Sequence, residues 1–355
     1  KTVIKINLVY NNKYKILILA PFPPNLGGMV SLAVSLANNF TSDGNIVYRL
    51  QAGVGFKSLL SLPILFLKFL YFTLKSDVIL IVSSSGKSLF MKALPLICIG
   101  KILGKRVLLN FVGGMAVDSN KKWNQFHKIP FSLSDKVVLP SNSFKELLLK
   151  KINNINYTVI PNIVDIEMFF NSNLKIDTKS PILISIKEMK DYAGHIHLLN
   201  IFKKVQSDMP NTILWFVGDG PERKKIKEHA RKLKLRNIKM YKPLLKKDLS
   251  ELMKKANIYI HASKYESFGL VLVEAMASGM PVVAFNMGGI DDIVINERNG
   301  FLIDYLDYKN FKKRIIQLAE NDQFYYQIQE ECILTSKRFN WLSIRKKWYK
   351  VFTVN

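Results

Sequence analysis

The chain has only two cysteines among its 355 residues, Cys98 and Cys332, and no Cys-x-x-Cys pair. A disulfide framework needs several cysteines and a structural zinc site needs a cluster of cysteine and histidine, so the sequence excludes both. Acidic residues are also few, because 27 Asp and Glu stand against 52 Lys and Arg and leave a formal charge of +25. A charge of this size favours partners that carry phosphate: small phosphates, anionic lipid surfaces or nucleic acid.

Long apolar runs are missing as well. The two longest, 59–74 and 89–103, are interrupted by lysine and proline and fall short of the ~18–20 residues that a membrane-spanning helix needs. The first ten residues alternate polar and apolar side chains without the apolar core of a signal peptide. Together with the scarcity of cysteine, these patterns predict a cytoplasmic protein.

Short apolar runs alternate with helical patterns through most of the chain. The strands predicted in the first half are 14–20, 45–51, 77–82, 106–112, 136–140 and 157–161, with helices at 29–40, 57–75, 86–103 and 143–151. In the second half the predicted strands are 182–187, 212–217, 237–241, 258–261 and 281–285, with helices at 195–206, 221–235, 247–256 and 268–278. The alternation predicts an α/β fold with doubly wound parallel sheets.

A polar segment, 171–180, separates the two halves and is typical of a linker. The predicted domains are therefore 1–170 and 181–339, each Rossmann-like. The last residues, 340–355, are aromatic and basic and predict a helix that packs back on the first domain. Ligands of doubly wound sheets bind at the carboxyl ends of the strands, so the cleft between the domains is the expected site.

The sharpest motif lies between the predicted strand 258–261 and the end of the helix that follows it. A loop carboxylate, Glu266, is followed by a glycine turn, a helix start and a second carboxylate, Glu274. The free backbone N–H groups of Phe268, Gly269 and Leu270 would point into the cleft, a geometry suited to phosphate. Glu274 could accept hydrogen bonds from sugar hydroxyls. The alternative is that both carboxylates are solvated charges beside a helix N-terminus.

This segment resembles the E-x7-E signature of the retaining glycosyltransferases of family 4, which build bacterial cell-surface glycans and have the two-domain GT-B architecture. Residues 217–222 are similar to the family's V-G-x-G-P-E turn, and 287–290 and 299–303 to its G-G and N-G-x-L-V segments. Residues 159–165 resemble V-I-P-N-G-V-D, with Ile163 in place of the usual glycine. These five motifs occur in the family's order, distributed over the range 135–305.

The resemblance implies a role for each matching residue. Glu266 would orient the donor sugar, Glu274 would hold the ribose, and cations would stabilise the leaving diphosphate in place of a metal. The implied catalytic residues are Glu266, Lys187 and Lys190. The implied donor-binding residues are Gly27, Gly28, Gly218, Ser267, Phe268, Gly269, Leu270 and Glu274, and those on the acceptor side are Gly113 and Gly114.

Two departures from the family pattern concern the diphosphate and the sugar. Lys187 stands where the family has an arginine, and Ala193 stands where it has a lysine. Lys190 is the nearest replacement for the lost cation, unless it is only a surface lysine. Gly113 stands in a segment where many relatives carry a histidine near the sugar. His261 and His127 are expected to be structural rather than replacements for it.

The expected function is transfer of a hexose-type sugar from a nucleoside diphosphate sugar to a lipid-linked or other surface-glycan acceptor at the inner face of the cell membrane. No Asp-x-Asp pair occurs, so the usual ligands of a metal-dependent nucleotide-sugar site are missing, and neither a metal nor another cofactor is expected. One alternative is a basic nucleic-acid-binding protein, although no nucleic-acid motif is present. Another is a non-catalytic partner subunit, which Ala193 and Gly113 would suggest.

The first half of the chain carries the charge expected of a membrane-facing domain. Residues 1–165 hold 20 Lys and Arg against 6 Asp and Glu. The lysines of the predicted helix 57–75 would fall within about 20° of one another around its axis: Lys57, Lys68 and Lys75. Most other positions of this helix are apolar, so it lies either in an anionic bilayer interface or in the domain core. In the first case Phe66 and Phe69 would contact lipid.

Overall fold

The computed structural model describes residues 13–24, 27–51, 62–84, 89–114, 125–171 and 180–353. Lys57 and most of the predicted linker, 172–179, lie outside the described residues. Two six-stranded parallel sheets are present, which confirms the predicted fold class. Strands buried on both faces, such as the run VILIVS at 78–83, are typical of parallel sheets covered by helices on each side.

The first sheet has the strand order β2-β1-β3-β4-β5-β6. Its elements are β1 (Lys15–Ala20), α1 (Gly28–Ser42), β2 (Ile46–Gln51), α2 (Leu62–Lys75), β3 (Val78–Ser83), α3 (Leu94–Ile102), β4 (Arg106–Phe111), α4 (Ile129–Leu133), β5 (Lys136–Leu139), α5 (Asn142–Leu149), β6 (Tyr157–Val159) and α6 (Ile166–Phe169). The order reverses between β1 and β3, which opens a crevice at the carboxyl end of β1.

The second sheet has the order β12-β11-β10-β7-β8-β9. Its elements are β7 (Ile182–Ile186), α7 (His195–Asp208), β8 (Ile213–Val217), α8 (Arg223–Lys232), β9 (Ile238–Tyr241), α9 (Lys246–Met253), β10 (Ile258–His261), α10 (Leu270–Ala277), β11 (Val282–Phe285) and β12 (Gly300–Ile303). Here the order reverses between β7 and β10. The short strand β12 was not predicted from the sequence.

Three helices complete the chain: α11 (Tyr308–Glu320), α12 (Asp322–Ser336) and α13 (Trp341–Phe352). The last of them packs against the first domain. Tyr349 donates to the Asp43 carboxylate at 3.0 Å and accepts from the Asn45 amide at 2.7 Å. The indole of Trp341 also donates to Asp43, and its ring meets the edge of Phe40. The end of the chain therefore closes over α1 and ties the two domains together.

Helix α2 lies on one face of the first sheet. Of the two phenylalanines predicted to contact lipid, Phe66 is exposed but Phe69 is not, so the prediction was wrong for Phe69. Phe69 is only 1% exposed and belongs to the core of this domain, whereas Phe66 is 50% exposed. Phe72 also faces inward, with its ring 5.0 Å from that of Tyr48. In the part of the chain that the structure describes, no helix is both long enough and apolar enough to cross a bilayer.

Candidate active site

A cavity of about 590 Å³ lies between the two domains, at the carboxyl ends of β7, β8 and β10. The N-terminal ends of α1 and α10 meet in its wall, because a Cβ placed on Gly28 would lie 3.5 Å from the Leu270 side chain. Gly27, just before α1, also lines the cavity, as do Phe268 and Gly269 before α10. Unsatisfied amides at the start of a helix favour an anion, so this wall suits a phosphate group.

Glu266 and Lys187 form an ion pair in the wall of this cavity. Lys187 directly follows β7, and Glu266 lies in the loop between β10 and α10. The Lys187 Nζ is 2.5 Å from the Glu266 Oε2, and the Glu266 Oε1 accepts from the Ser267 amide at 3.2 Å. Burial alone would raise the pKa of Glu266, but the Lys187 charge acts together with the hydrogen bonds from Lys187 and the Ser267 amide, and the pKa is lowered. The carboxylate is therefore ionised and faces the cavity.

Gly218 at the end of β8 allows the Lys187 backbone to approach closely. A Cβ at Gly218 would lie 2.1 Å from the Lys187 carbonyl oxygen, and its φ of 150° is one that other residues rarely adopt. Any side chain here would displace Lys187. Gly218 thus positions the cation and lines the cavity, and its role in donor binding stays a prediction.

Two buried histidines lie close enough to Lys187 for its charge to affect them. The Nε2 of His261 is 3.9 Å from the Glu266 Oε2, and His195, the first residue of α7, packs edge-on against Phe216. Burial, reinforced by the Lys187 charge, lowers the pKa of both imidazoles to about 4. Both rings are therefore neutral near pH 7. His127, by contrast, packs against Phe90 in the first domain, and His127 is not among the described residues that line the cavity.

Glu274 reaches the cavity from the second turn of α10. It is buried, and its nearest cation is Lys246 at the start of α9, with Nζ 3.5 Å from the Glu274 Oε1. Burial raises the pKa of Glu274, and Lys246 opposes that rise only in part. A buried carboxylate with one cationic neighbour retains lone pairs that can accept hydrogen bonds from a ligand. Lys246 was not singled out by the sequence, where it is one of many lysines.

The loop that carries Glu266 is fastened to the first domain. The Ser267 hydroxyl donates to the Val112 carbonyl at 3.0 Å, and the Ser141 hydroxyl donates to the Ser267 carbonyl at 2.8 Å. A Cβ at Gly114 would lie 3.1 Å from the Ser267 nitrogen. Gly114 therefore abuts the loop, and of the described residues it is Val112, rather than Gly113 or Gly114, that lines the cavity.

A second contact between the domains lies close by. The Asp292 carboxylate accepts from the Asn142 amide and, at 3.4 Å, from the Ser143 hydroxyl at the start of α5. A carboxylate at a helix N-terminus is stabilised by the helix dipole. Asp292 thus accepts hydrogen bonds from the start of a helix of the opposite domain, and this contact joins the two domains near the Glu266 loop.

Residues 167–333 match the family described as glycosyl transferases group 1. The match contains Lys187, Glu266 and Glu274. An uncharacterized glycosyltransferase from Haemophilus influenzae is 27% identical over 278 residues, which cover 78% of this chain and 76% of that protein. The UDP-Gal:α-D-GlcNAc-diphosphoundecaprenol α-1,3-galactosyltransferase from Escherichia coli is 23% identical, with 62% of each chain covered.

Solved glycosyltransferase structures share the fold. Anabaena HepE in complex with UDP and glucose superposes with a TM-score of 0.75 and 20% identity, covering 95% of this chain and 98% of that one. The chain spans only 55% of Staphylococcus aureus TarM, and about half of two curated relatives. The chain is therefore related to glycosyltransferases and has the GT-B fold.

Within the segment that matches group 1, the structure separates Lys190 from Lys187. Lys190 pairs with Glu188 at 2.9 Å, is 41% exposed and is not among the described residues that line the cavity. Ala193 is buried, so the side chain at that position points into the protein. Among the described residues that line the cavity, the second lysine is Lys246. The cavity therefore has its second cation beside Glu274 and not beside Lys187.

His261 lies in the wall of the cavity, where the sequence did not place it. Its predicted role was structural, yet it lines the cavity beside Glu266. It is the last residue of β10, next to the point where the strand order reverses. Residues that end central strands at such a point commonly contact the ligand. The position of His261 at the end of a predicted strand was therefore the feature of the sequence that could have identified it. Among the described residues, no group of three or more His, Cys, Asp or Glu side chains could hold a metal ion.

Proposed function

We propose that the chain is a retaining glycosyltransferase of family 4 that moves a sugar from a nucleoside diphosphate sugar to a lipid-linked or other surface-glycan acceptor. Similarity to glycosyltransferases supports sugar transfer from a nucleotide donor. The observation that carries the proposal further is the cavity itself, where the Lys187–Glu266 pair, Glu274 and the start of α10 meet at the interdomain cleft. These groups match a diphosphate, a sugar and a ribose in chemical character.

In the proposed reaction the bond between the sugar C1 and the diphosphate oxygen breaks. The acceptor hydroxyl forms the new bond to C1 on the same face, and its proton passes to the departing phosphate oxygen. Lys187 and the amides at the start of α10 stabilise the charge that develops on the diphosphate. Such preorganised electrostatic stabilisation is commonly the largest protein contribution to group transfer. Glu266 orients the sugar and Glu274 holds the ribose.

A donor panel tests this function. The protein is incubated with UDP-, GDP- and ADP-linked hexoses, and slow release of the nucleoside diphosphate is followed with and without polyprenyl diphosphate sugars as acceptors. We expect release from the sugars of one nucleotide, faster when an acceptor is present. Absence of release from every donor, together with salt-sensitive retention on DNA, would instead support the nucleic-acid-binding alternative.

The proposed reaction needs no metal ion, since Lys187 and the helix amides supply the positive charge. We therefore expect EDTA to leave the transfer rate within about twofold of its value without chelator. The measurement is the initial rate of nucleoside diphosphate release after dialysis against EDTA, with and without added Mn²⁺ or Mg²⁺. Loss of activity that either cation restores would contradict the cationic clamp.

We further propose that the enzyme works on an anionic membrane surface, with α2 and the end of α3 in contact with lipid. The large apolar side chains exposed on this α2–α3 surface are Phe66, Leu67, Tyr71, Leu74 and Ile102. Lys105 donates to the Leu74 carbonyl at 3.1 Å, which brings the ends of the two helices together.

The charges around the α2–α3 surface favour an anionic bilayer over another apolar partner. Four cations border it: Lys68, Lys75, Lys101 and Lys105. Lys75 lies over the Tyr71 ring, 4.2 Å from its centroid, and Lys101 pairs with Asp135. Each cation near an anionic leaflet contributes roughly 1 kcal/mol. The E. coli relative is named for a diphosphoundecaprenol acceptor, and an acceptor of that kind would lie in such a membrane.

Replacing Phe66, Leu67 and Tyr71 together by serine is expected to lower binding to anionic liposomes at least tenfold, because each apolar side chain buried in lipid contributes about 1.5 kcal/mol or more. Co-sedimentation measures it. Binding of the unaltered protein should weaken as salt shortens the screening length from ~10 Å at 0.1 M to ~3 Å at 1 M. Leu334→Ser, an exposed leucine on α12, is the matched control and should change nothing. Binding that ignores lipid charge would contradict the proposal.

A further inference from the structure

One polar atom in the cavity wall has no partner. His261 ends β10, is buried and lines the cavity, and its Nε2 makes no hydrogen bond to any described residue. The ring stacks on that of Tyr259, with centroids 6.1 Å apart, and the Tyr259 hydroxyl is itself held by the Ile186 carbonyl. A buried polar atom without a hydrogen bond costs about 1–3 kcal/mol. In the wall of a binding cavity, such an atom points to a ligand that supplies the missing bond.

The distance between His261 and Glu266 indicates which kind of ligand group fits between them. The His261 Nε2 and the Glu266 Oε2 are 3.9 Å apart, too far for a hydrogen bond between them. A single hydroxyl oxygen that lies about 2.8 Å from each atom fits this separation. The Glu266 Oε2 already accepts from Lys187, but a carboxylate oxygen has a second lone pair.

The chemistry of the two groups matches one hydroxyl. A hydroxyl can donate to the Glu266 carboxylate and accept from a neutral imidazole N–H at the same time. His261, Glu266 and Lys187 all belong to the second domain, so this pair of contacts is complete without the acceptor. His195 provides a contrast, since both of its ring nitrogens also lack partners within the described structure, yet it is not one of the residues there that line the cavity.

We propose that His261 and Glu266 together hold one hydroxyl of the donor sugar, so that His261 is a sugar-recognition residue of this enzyme. The proposal rests on the proposed function, because it requires a nucleotide sugar in the cavity. It predicts that His261 contributes to recognition of the sugar and not to recognition of the nucleotide, which lies against Lys187, Glu274 and the start of α10.

The test compares the affinities of His261→Phe for UDP and for UDP-glucose by calorimetry, with GDP- and ADP-linked pairs if the donor panel selects them. We expect the affinity for the nucleoside diphosphate to stay within twofold, and that for the nucleotide sugar to fall about tenfold, as for one lost hydrogen bond that leaves polar groups unpaired. His261→Gln, whose amide can reach the same position, should restore part of it. His195→Phe is the matched control and should alter neither affinity.

Deoxy donors identify the hydroxyl. Removing the hydroxyl that His261 contacts should weaken donor binding to the unaltered protein but cause little further loss of affinity in His261→Phe. Removing any other hydroxyl should weaken binding by the same factor in both proteins. Additive losses for every hydroxyl would overturn the proposal, and so would equal losses of UDP and UDP-glucose affinity. If the unaltered protein binds no nucleotide sugar at all, the proposed function falls as well. Normal binding by both proteins overturns only the role of His261.

Discussion

Lys187→Met is expected to lower the rate of sugar transfer by about 10²–10³-fold, the usual cost of removing one preorganised group that stabilises transition-state charge. Lys190→Met should stay within about twofold of the unaltered enzyme. The two lysines are three residues apart, but only Lys187 lines the cavity and pairs with Glu266, whereas Lys190 pairs with Glu188 at the surface. Steady-state transfer rates of the two variants measure the difference.

In this comparison, loss of stability must be distinguished from loss of catalysis. Lys187→Met leaves the partly buried Glu266 carboxylate without its cation, and since breaking a fully buried pair costs about 3–5 kcal/mol of stability, we expect a smaller loss here. A double variant, Lys187→Met with Glu266→Gln, should regain most of the lost stability in thermal unfolding but none of the activity. Equal losses of activity in Lys187→Met and Lys190→Met would contradict the assignment of the clamp to Lys187.

Glu274→Ala is expected to weaken binding of the nucleotide donor by about 10²-fold or more, because a buried charged acceptor is lost and the ribose hydroxyls are left unpaired. Calorimetry with the nucleoside diphosphate alone measures this, since the proposed contact is to the ribose and not to the sugar. Glu251→Ala, which removes an exposed carboxylate paired with Lys254 on α9, is the control. Turnover by Glu274→Ala close to that of the unaltered enzyme would rule out this role.

The pH dependence of donor binding provides an independent check on Glu274. Burial raises the pKa of this carboxyl above its ordinary value, and Lys246 offsets the rise only in part. As pH falls through that raised pKa, Glu274 takes up a proton and loses acceptor capacity, so donor affinity should decline at a higher pH than for an exposed glutamate. Glu274→Gln should be weak at every pH and lack this decline. An identical pH dependence of donor affinity in the unaltered protein and in Glu274→Gln would contradict the role of Glu274.

Local patterns in the amino-acid sequence were sufficient to predict both parallel sheets. Buried strands such as β1 and β3 are continuous apolar runs, and a run of this kind between helical patterns is visible without any knowledge of distant residues. Glu266 and Glu274 were also identified from sequence, because the loop and the helix that carry them are adjacent in the chain. Roles for both carboxylates and for Lys187 stay predictions until they are tested.

Only the tertiary structure decided which side chains meet in the cleft. Lys187 and Glu266 are 79 residues apart and Ser267 and Val112 are 155 apart, so no local period relates them. The same limit applied to Lys190, which is close to Lys187 in the chain but turns towards Glu188, and to His261, whose position at the end of β10 matters only once β7 lies beside it. On α2, burial of Phe69 and exposure of Phe66 depend on where the helix rests on the sheet. The spacing of apolar residues along the sequence determines that a helix has an apolar face, whereas packing determines which part of that face remains exposed.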